Sequence, residues 1–211
     1  MVRQVYEFTR LFFQDPRFDA SHDFDHVLRV TNNAISILQQ EQHSRQSCSL
    51  PDLDTLTVVL GALLHDVEDK KYFQASAVPV RHVRKALLEV GMSESQAARI
   101  QDLVEGVSYS SEVKDPRHVQ DVIQAIPELA VVQDADRLDA IGAIGIGRCF
   151  AFGGARRTRS LGDSIEHFED KLLKLEGMMK TQTGKKMAAE RSRRIREFMS
   201  WWQDEVRSST S

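Results

Sequence analysis

The chain has 211 residues, enough for one domain with a substantial core, and its 41% hydrophobic and 28% charged residues match a soluble globular protein. A net charge of −3, from 31 acidic against 28 basic residues, argues against a dedicated nucleic-acid binder. Cys48 and Cys149 are the only cysteines and sit in unlike settings, so a disulfide framework or a CxxC-type zinc site is excluded. No apolar run approaches the length of a membrane span, and the first residues carry acid without an apolar core. A cytoplasmic protein without a secretory signal is therefore expected, with the nucleus as the alternative compartment.

In chain order, Val5, Phe8, Leu11 and Phe12 have helical spacing, and Asp15-Pro16 ends that helix. A short polar passage carrying His22 and His26 opens the next helix, for which Ser21 or Asp23 is the expected cap and Val27, Val30, Ala34, Ile37 and Leu38 the inner face. Residues 42–52 read as an exposed polar loop, and 53–65 as a buried helix whose apolar run ends on His65-Asp66. Asp69, Lys70 and Lys71 follow within about one helical turn. A helix begun near Pro79 carries Val83, Leu87 and Leu88 and stops at Gly91, and Ser93 starts another through Ala97, Ile100, Leu103 and Val107. Residues 108–117 read as a charged, turn-rich loop, and a short helix then runs from Val119 to about Ile126.

Residues 128–152 read as one helix in which Asp134, Asp136 and Asp139 interrupt an apolar, small-residue sequence. Residues 152–159, with Arg156, Arg157 and Arg159, read as a flexible basic loop. Ile165, Phe168, Leu172 and Leu175 then form a core stripe beside the polar stripe of His167, Lys171 and Lys174. A last helix over 185–206 precedes a frayed tail at 207–211. No β-pattern occurs over any window. The expected fold is all-α: a single-domain bundle of roughly eight or nine helices covering residues 1–206.

An imidazole and a carboxylate buried side by side at the end of an apolar helix need a partner, and a metal ion is the usual one. His26, His65, Asp66 and one of Asp134, Asp136 or Asp139 are the candidate ligands, each on or beside a helix with an apolar face. Two imidazoles and two carboxylates suit Mn²⁺, Mg²⁺, Fe²⁺, Co²⁺ or Ni²⁺, and Zn²⁺ less distinctively, with Mn²⁺ or Mg²⁺ favoured. Such an ion binds phosphate oxygens and activates water. His167 and Lys171, at i and i+4, form a cationic pair suited to a phosphate substrate, and His22, Arg148, Lys70 and Lys71 are further substrate-binding candidates. Arg29, one turn past His26, is expected to pair with a ligand carboxylate rather than touch substrate, and His43, His82 and His118 to lie at the surface.

The order of these motifs resembles the HD-domain phosphohydrolase superfamily: a histidine (His26), a His-Asp pair (His65-Asp66) and a distant aspartate (in Asp134-Ala-Asp-Arg-Leu-Asp139), all on helices. His22-Asp-Phe-Asp-His26, the run from Gln133 to Gly147, and His167-Phe-Glu-Asp-Lys171 further resemble a subgroup of small HD hydrolases, and the likeness extends over residues 5 to about 205. It implies His26, His65, Asp66 and Asp136 as the metal ligands, Asp136 because an Arg-Leu pair follows it. Asp139 is then a partner behind the ligands, and Asp134 points elsewhere. By the same likeness Asp69 is the catalytic general base or water-orienting residue. The implied function is metal-dependent hydrolysis of a small-molecule nucleotide, releasing pyrophosphate from nucleoside triphosphates. A 5′-nucleotidase acting on monophosphates is the alternative, and a non-catalytic nucleotide-binding module the alternative of another class. No nucleic-acid or membrane partner is expected, and a homodimer is allowed.

Overall fold

Helix α2 (Phe24–Ser47) forms the spine against which α3 (Thr55–Leu64) and α8 (Glu128–Asp139) pack most extensively. The computed structural model describes residues 1–16, 18, 23–67, 82–156 and 160–208. Among these it contains eleven α-helices and no strand, so the all-α bundle is as expected but more finely divided than eight or nine helices. The remaining helices are α1 (Val2–Phe12), α4 (His82–Glu89), α5 (Glu94–Val107), α6 (Tyr109–Lys114), α7 (Pro116–Ala125), α9 (Gly142–Arg156), α10 (Leu161–His167) and α11 (Gln182–Ser208). A π-helical turn (Phe168–Leu172) and a 3₁₀ turn (Leu173–Met178) connect the last two.

Local chemistry accounts for the boundaries. The Asp23 side chain accepts the His26 N–H and starts α2, and Asp54 accepts the Thr57 N–H to start α3. Most of α3 is apolar and buried all round, because α2, α5 and α8 cover it. Gly61 permits a close approach of α5: a Cβ there would lie 2.7 Å from Leu103 Cδ2. Leu60, Leu64, Leu103, Leu129, Leu138 and Ile37 are fully buried at the centre. The α3 C-terminus therefore delivers His65 and Asp66 from the middle of the core toward its edge.

Five segments differ from the sequence expectation. Helix α2 continues to Ser47, through what reads as the start of a loop, by adding polar turns on an exposed face. The charged stretch 108–117 contains α6 and the first turn of α7, where the Asp115 side chain accepts the His118 N–H and Pro116 occupies the first turn. Residues 128–152 form two helices bent by 68°, the break falling where Gly142 takes φ +75°. Helix α9 then continues through Arg156, into the expected basic loop; Arg157 and Arg159 lie outside the described residues. At the far end α11 runs to Ser208, two residues past the expected boundary. No single described helix is long and apolar enough to cross a membrane.

Candidate metal centre

Three helices bring four acceptor atoms to one place. His26 comes from the first turn of α2, His65 and Asp66 from the end of α3, and Asp136 from the last turn but one of α8. The Nε2 atoms of His26 and His65 are 3.2 Å apart. Asp66 Oδ2 lies 3.3 Å from the first and 3.5 Å from the second. Asp136 Oδ1 lies 3.5 Å and 3.8 Å from the same two nitrogens. Donor atoms of His26, His65 and Asp66 all fall within 4.8 Å of one another, as a shared ion requires.

The rear atoms of both rings fix which way their lone pairs face. His65 Nδ1 is 2.8 Å from the Ala62 carbonyl oxygen, which can only accept, so Nδ1 carries the proton. His26 Nδ1 donates in the same way to Asp139 Oδ2 at 2.7 Å. In the neutral rings both Nε2 atoms are then lone pairs aimed at each other and at two carboxylates. Asp66 Oδ2 is buried, and the two Nε2 atoms beside it offer no proton while the rings are neutral and protonated on Nδ1. A buried acceptor left in that state is costly, and a cation relieves it together with the facing lone pairs. The residues present fit a divalent metal ion.

The electrostatics agree. Burial alone would lower the His65 pKa, but the carboxylates of Asp66 and Asp136 overcome it and raise it to about 9. Burial likewise pushes the Asp66 carboxyl up, and the charge of His65 and the contacts with His26 pull it well below the ordinary range. The centre is thus an anionic pocket that attracts positive charge, whether proton or metal.

The other sequence candidates divide. His22, Asp69, Lys70 and Lys71 lie outside the described residues. His167 and Lys171 line the cavity of about 380 Å³ onto which the acceptor cluster opens. The π-helical turn carrying Lys171 follows directly on His167, and its ammonium stands 4.9 Å over the Tyr109 ring. Arg148 also borders this cavity, but its guanidinium donates inward to Asp139 Oδ2 at 2.9 Å rather than standing clear as a phosphate contact. Arg29 pairs not with a ligand carboxylate, as expected, but with Asp139, which stands behind the proposed ligands. Asp134 faces away: it accepts the N–H groups of Lys180 and Thr181 and the Thr181 hydroxyl. His43 and His118 are exposed, His82 is half-buried near Phe12, and Cys149 is a packed thiol beside Ser164.

Sequence reasoning missed the apolar side of the cavity, where Tyr109, Phe152 and Leu172 stand. Tyr109 and Phe152 belonged to segments read as loops. The Asp115-Pro116 start of α7 was a legible sign that the first of these segments was helical.

Comparison with known proteins places this geometry among relatives. The chain is 33% identical over 183 residues to the uncharacterized protein YpgQ of Bacillus subtilis, covering 85% of this chain and 82% of that one. The crystal structure of YpgQ in complex with ADP superposes with a TM-score of 0.73 over 98% of both chains, at 28% identity. An HD-superfamily hydrolase from Bacillus thuringiensis gives a TM-score of 0.70 at 30% identity, over 98% of this chain and 96% of its own. No protein-family model matches the sequence.

Proposed function

Since the chain belongs to the HD-superfamily hydrolases, among the small HD proteins similar to YpgQ, we propose that it is a divalent-metal-dependent nucleotide phosphohydrolase that splits nucleoside triphosphates into monophosphate and pyrophosphate. One observation carries this reading: a cluster of buried acceptor atoms opens directly into a cavity bordered by His167 and Lys171. The ADP bound to YpgQ supports a nucleotide as the ligand.

In this reading His26, His65, Asp66 and Asp136 hold the ion. When bound, it supplies neutralisation of phosphate charge and a lowered pKa for water. His167 and Lys171 pair with the polyphosphate tail, and Tyr109, Phe152 and Leu172 give the nucleoside an apolar wall that keeps bulk water out. Asp69, by its place three residues after Asp66, orients or deprotonates the attacking water, while His22, Lys70 and Lys71 add substrate contacts.

The test is a panel of nucleoside mono-, di- and triphosphates with Mn²⁺, Mg²⁺ or Co²⁺, resolving phosphate from pyrophosphate. Pyrophosphate and monophosphate from triphosphates support the proposal. Phosphate and nucleoside from monophosphates instead make the protein a 5′-nucleotidase. Metal and nucleotide binding without turnover make it a binding module.

A further inference from the structure

Asp139 ends α8 and is almost fully buried, yet it accepts from three residues on two other helices. His26 Nδ1 reaches Oδ2 at 2.7 Å. Arg29, one turn further along α2, donates through Nε to Oδ1 at 2.8 Å and through Nη2 to Oδ2 at 3.1 Å. Arg148, from α9, donates through Nη1 to Oδ2 at 2.9 Å. A single carboxylate oxygen is thus shared between a proposed metal ligand and a guanidinium on the cavity wall.

That arrangement has a chemical consequence. Asp139 fixes the proton of His26 on Nδ1, which leaves Nε2 as the lone pair that faces His65, Asp66 and Asp136. It also pins the ring plane. A carboxylate behind an imidazole raises its basicity as a ligand, and such outer partners are worth about 10–100-fold in metal affinity or activity. The carboxylate remains in place because the two guanidiniums hold it: Arg29 by one bond to each oxygen, Arg148 by a bond to Oδ2 from α9. The 68° bend at the end of α8 is what lets residue 148 reach back to residue 139.

We propose that Asp139 is a positioning residue for the metal centre and that Arg148 acts through it, as the clamp that holds the His26 partner in place, rather than as a contact for substrate phosphate. The inference rests on the metal-dependent reading above and assigns the one cationic candidate that reading leaves without a role.

The two roles for Arg148 predict different measurements. The full chain is stripped of metal and titrated with Mn²⁺ alone, without nucleotide, for wild type, Arg148→Gln and Asp139→Asn. Thermal unfolding of each metal-free variant is recorded alongside. The expected result is a loss of Mn²⁺ affinity of about tenfold or more in Arg148→Gln, with kcat restored by raising Mn²⁺ and KM for triphosphate within about threefold of wild type at saturating metal. Asp139→Asn should shift affinity in the same direction. If it does not fold, Arg148→Gln decides alone. Mn²⁺ affinity within twofold of wild type together with a much higher KM overturns the inference and returns Arg148 to the substrate. Failure of the wild type itself to bind Mn²⁺ overturns the proposed function and this inference together, an outcome distinguishable from loss in the variant only.

Discussion

Asp134→Asn and Asp136→Asn, two residues apart on one helix, are expected to fail in opposite ways. Asp134 Oδ2 accepts the Thr181 N–H at 2.7 Å and the Thr181 hydroxyl at 2.8 Å, while Oδ1 accepts the Lys180 N–H at 2.8 Å. An asparagine that keeps its oxygen toward Thr181 turns an NH₂ toward the Lys180 N–H, donor against donor. One charge-assisted bond is lost, about 1.5–3 kcal/mol, and the Lys180 N–H keeps only its longer 3.1 Å contact to the retained oxygen. Part of this is offset, because burial already pushes the Asp134 carboxyl up and the neutral side chain escapes that penalty. A net loss of about 1–3 kcal/mol remains, which for a chain of this size lowers Tm by about 2–12 °C. Mn²⁺ affinity should stay within about threefold. Asp136 is partly exposed and lies 3.5 Å from His26 Nε2, so its amide should weaken Mn²⁺ binding at least tenfold while the metal-free Tm moves by no more than about 2 °C. Circular-dichroism melts of the stripped proteins and Mn²⁺ titrations decide it. An Asp134→Asn variant that melts normally but binds Mn²⁺ more weakly than Asp136→Asn would refute the reasoning.

Asp69→Asn should bind Mn²⁺ and nucleotide nearly as wild type but turn over at least about a hundredfold more slowly in single-turnover assays; a rate within a few-fold removes Asp69 from the mechanism. Gly184→Ala should cost about 1–3 kcal/mol in urea unfolding, because its Cβ would overlap Asp134 Oδ2 and stand 2.8 Å from Thr181 Oγ1, both held by hydrogen bonds. Glu112→Ala leaves the buried Arg137 guanidinium without its carboxylate and should destabilise by about 3–5 kcal/mol at neutral pH. The pH dependence has a definite sign. Burial raises the Glu112 carboxyl, but Lys180 and Arg137 lower it further, to a net value below the ordinary one. The wild-type advantage is therefore full above the ordinary glutamate pKa of about 4.3 and shrinks as pH falls through the depressed value. Paired unfolding curves from pH 7 to pH 3 whose difference does not narrow would count against it.

The acceptor cluster was legible because its members announce themselves locally. His65-Asp66 ends an apolar helix, and Asp136 precedes Arg-Leu, so choosing one aspartate among three needed only the family likeness and the 100° step of a helix. The outer partners were harder. Nothing in the sequence near Arg148 says that its side chain turns inward, because that direction depends on the bend at Gly142. Glycine just past a polar helix end is a known stop signal, yet among the glycines at 142, 145 and 147 it reads equally well as close helix packing. Helix α6 escaped notice for another reason. It has six residues and no buried member, so it shows no hydrophobic period, and Glu112 anchors it to Arg137 and Lys180 through contacts remote in sequence.

The three aspartates of α8 also limit how this gene can change in length. Asp134 ties the helix to the start of α11, Asp136 faces the acceptor cluster, and Asp139 backs His26. A codon gained or lost between Glu128 and Asp134 would swing all three by about 100° at once. The anchor, the proposed ligand and its supporter would miss their partners in the same event, with no intermediate in which only one is harmed. Point substitutions can sample α8 one function at a time, but insertions and deletions cannot. Length variation in relatives that keep this chemistry should therefore fall outside α8, in segments such as the polar stretch between α2 and α3.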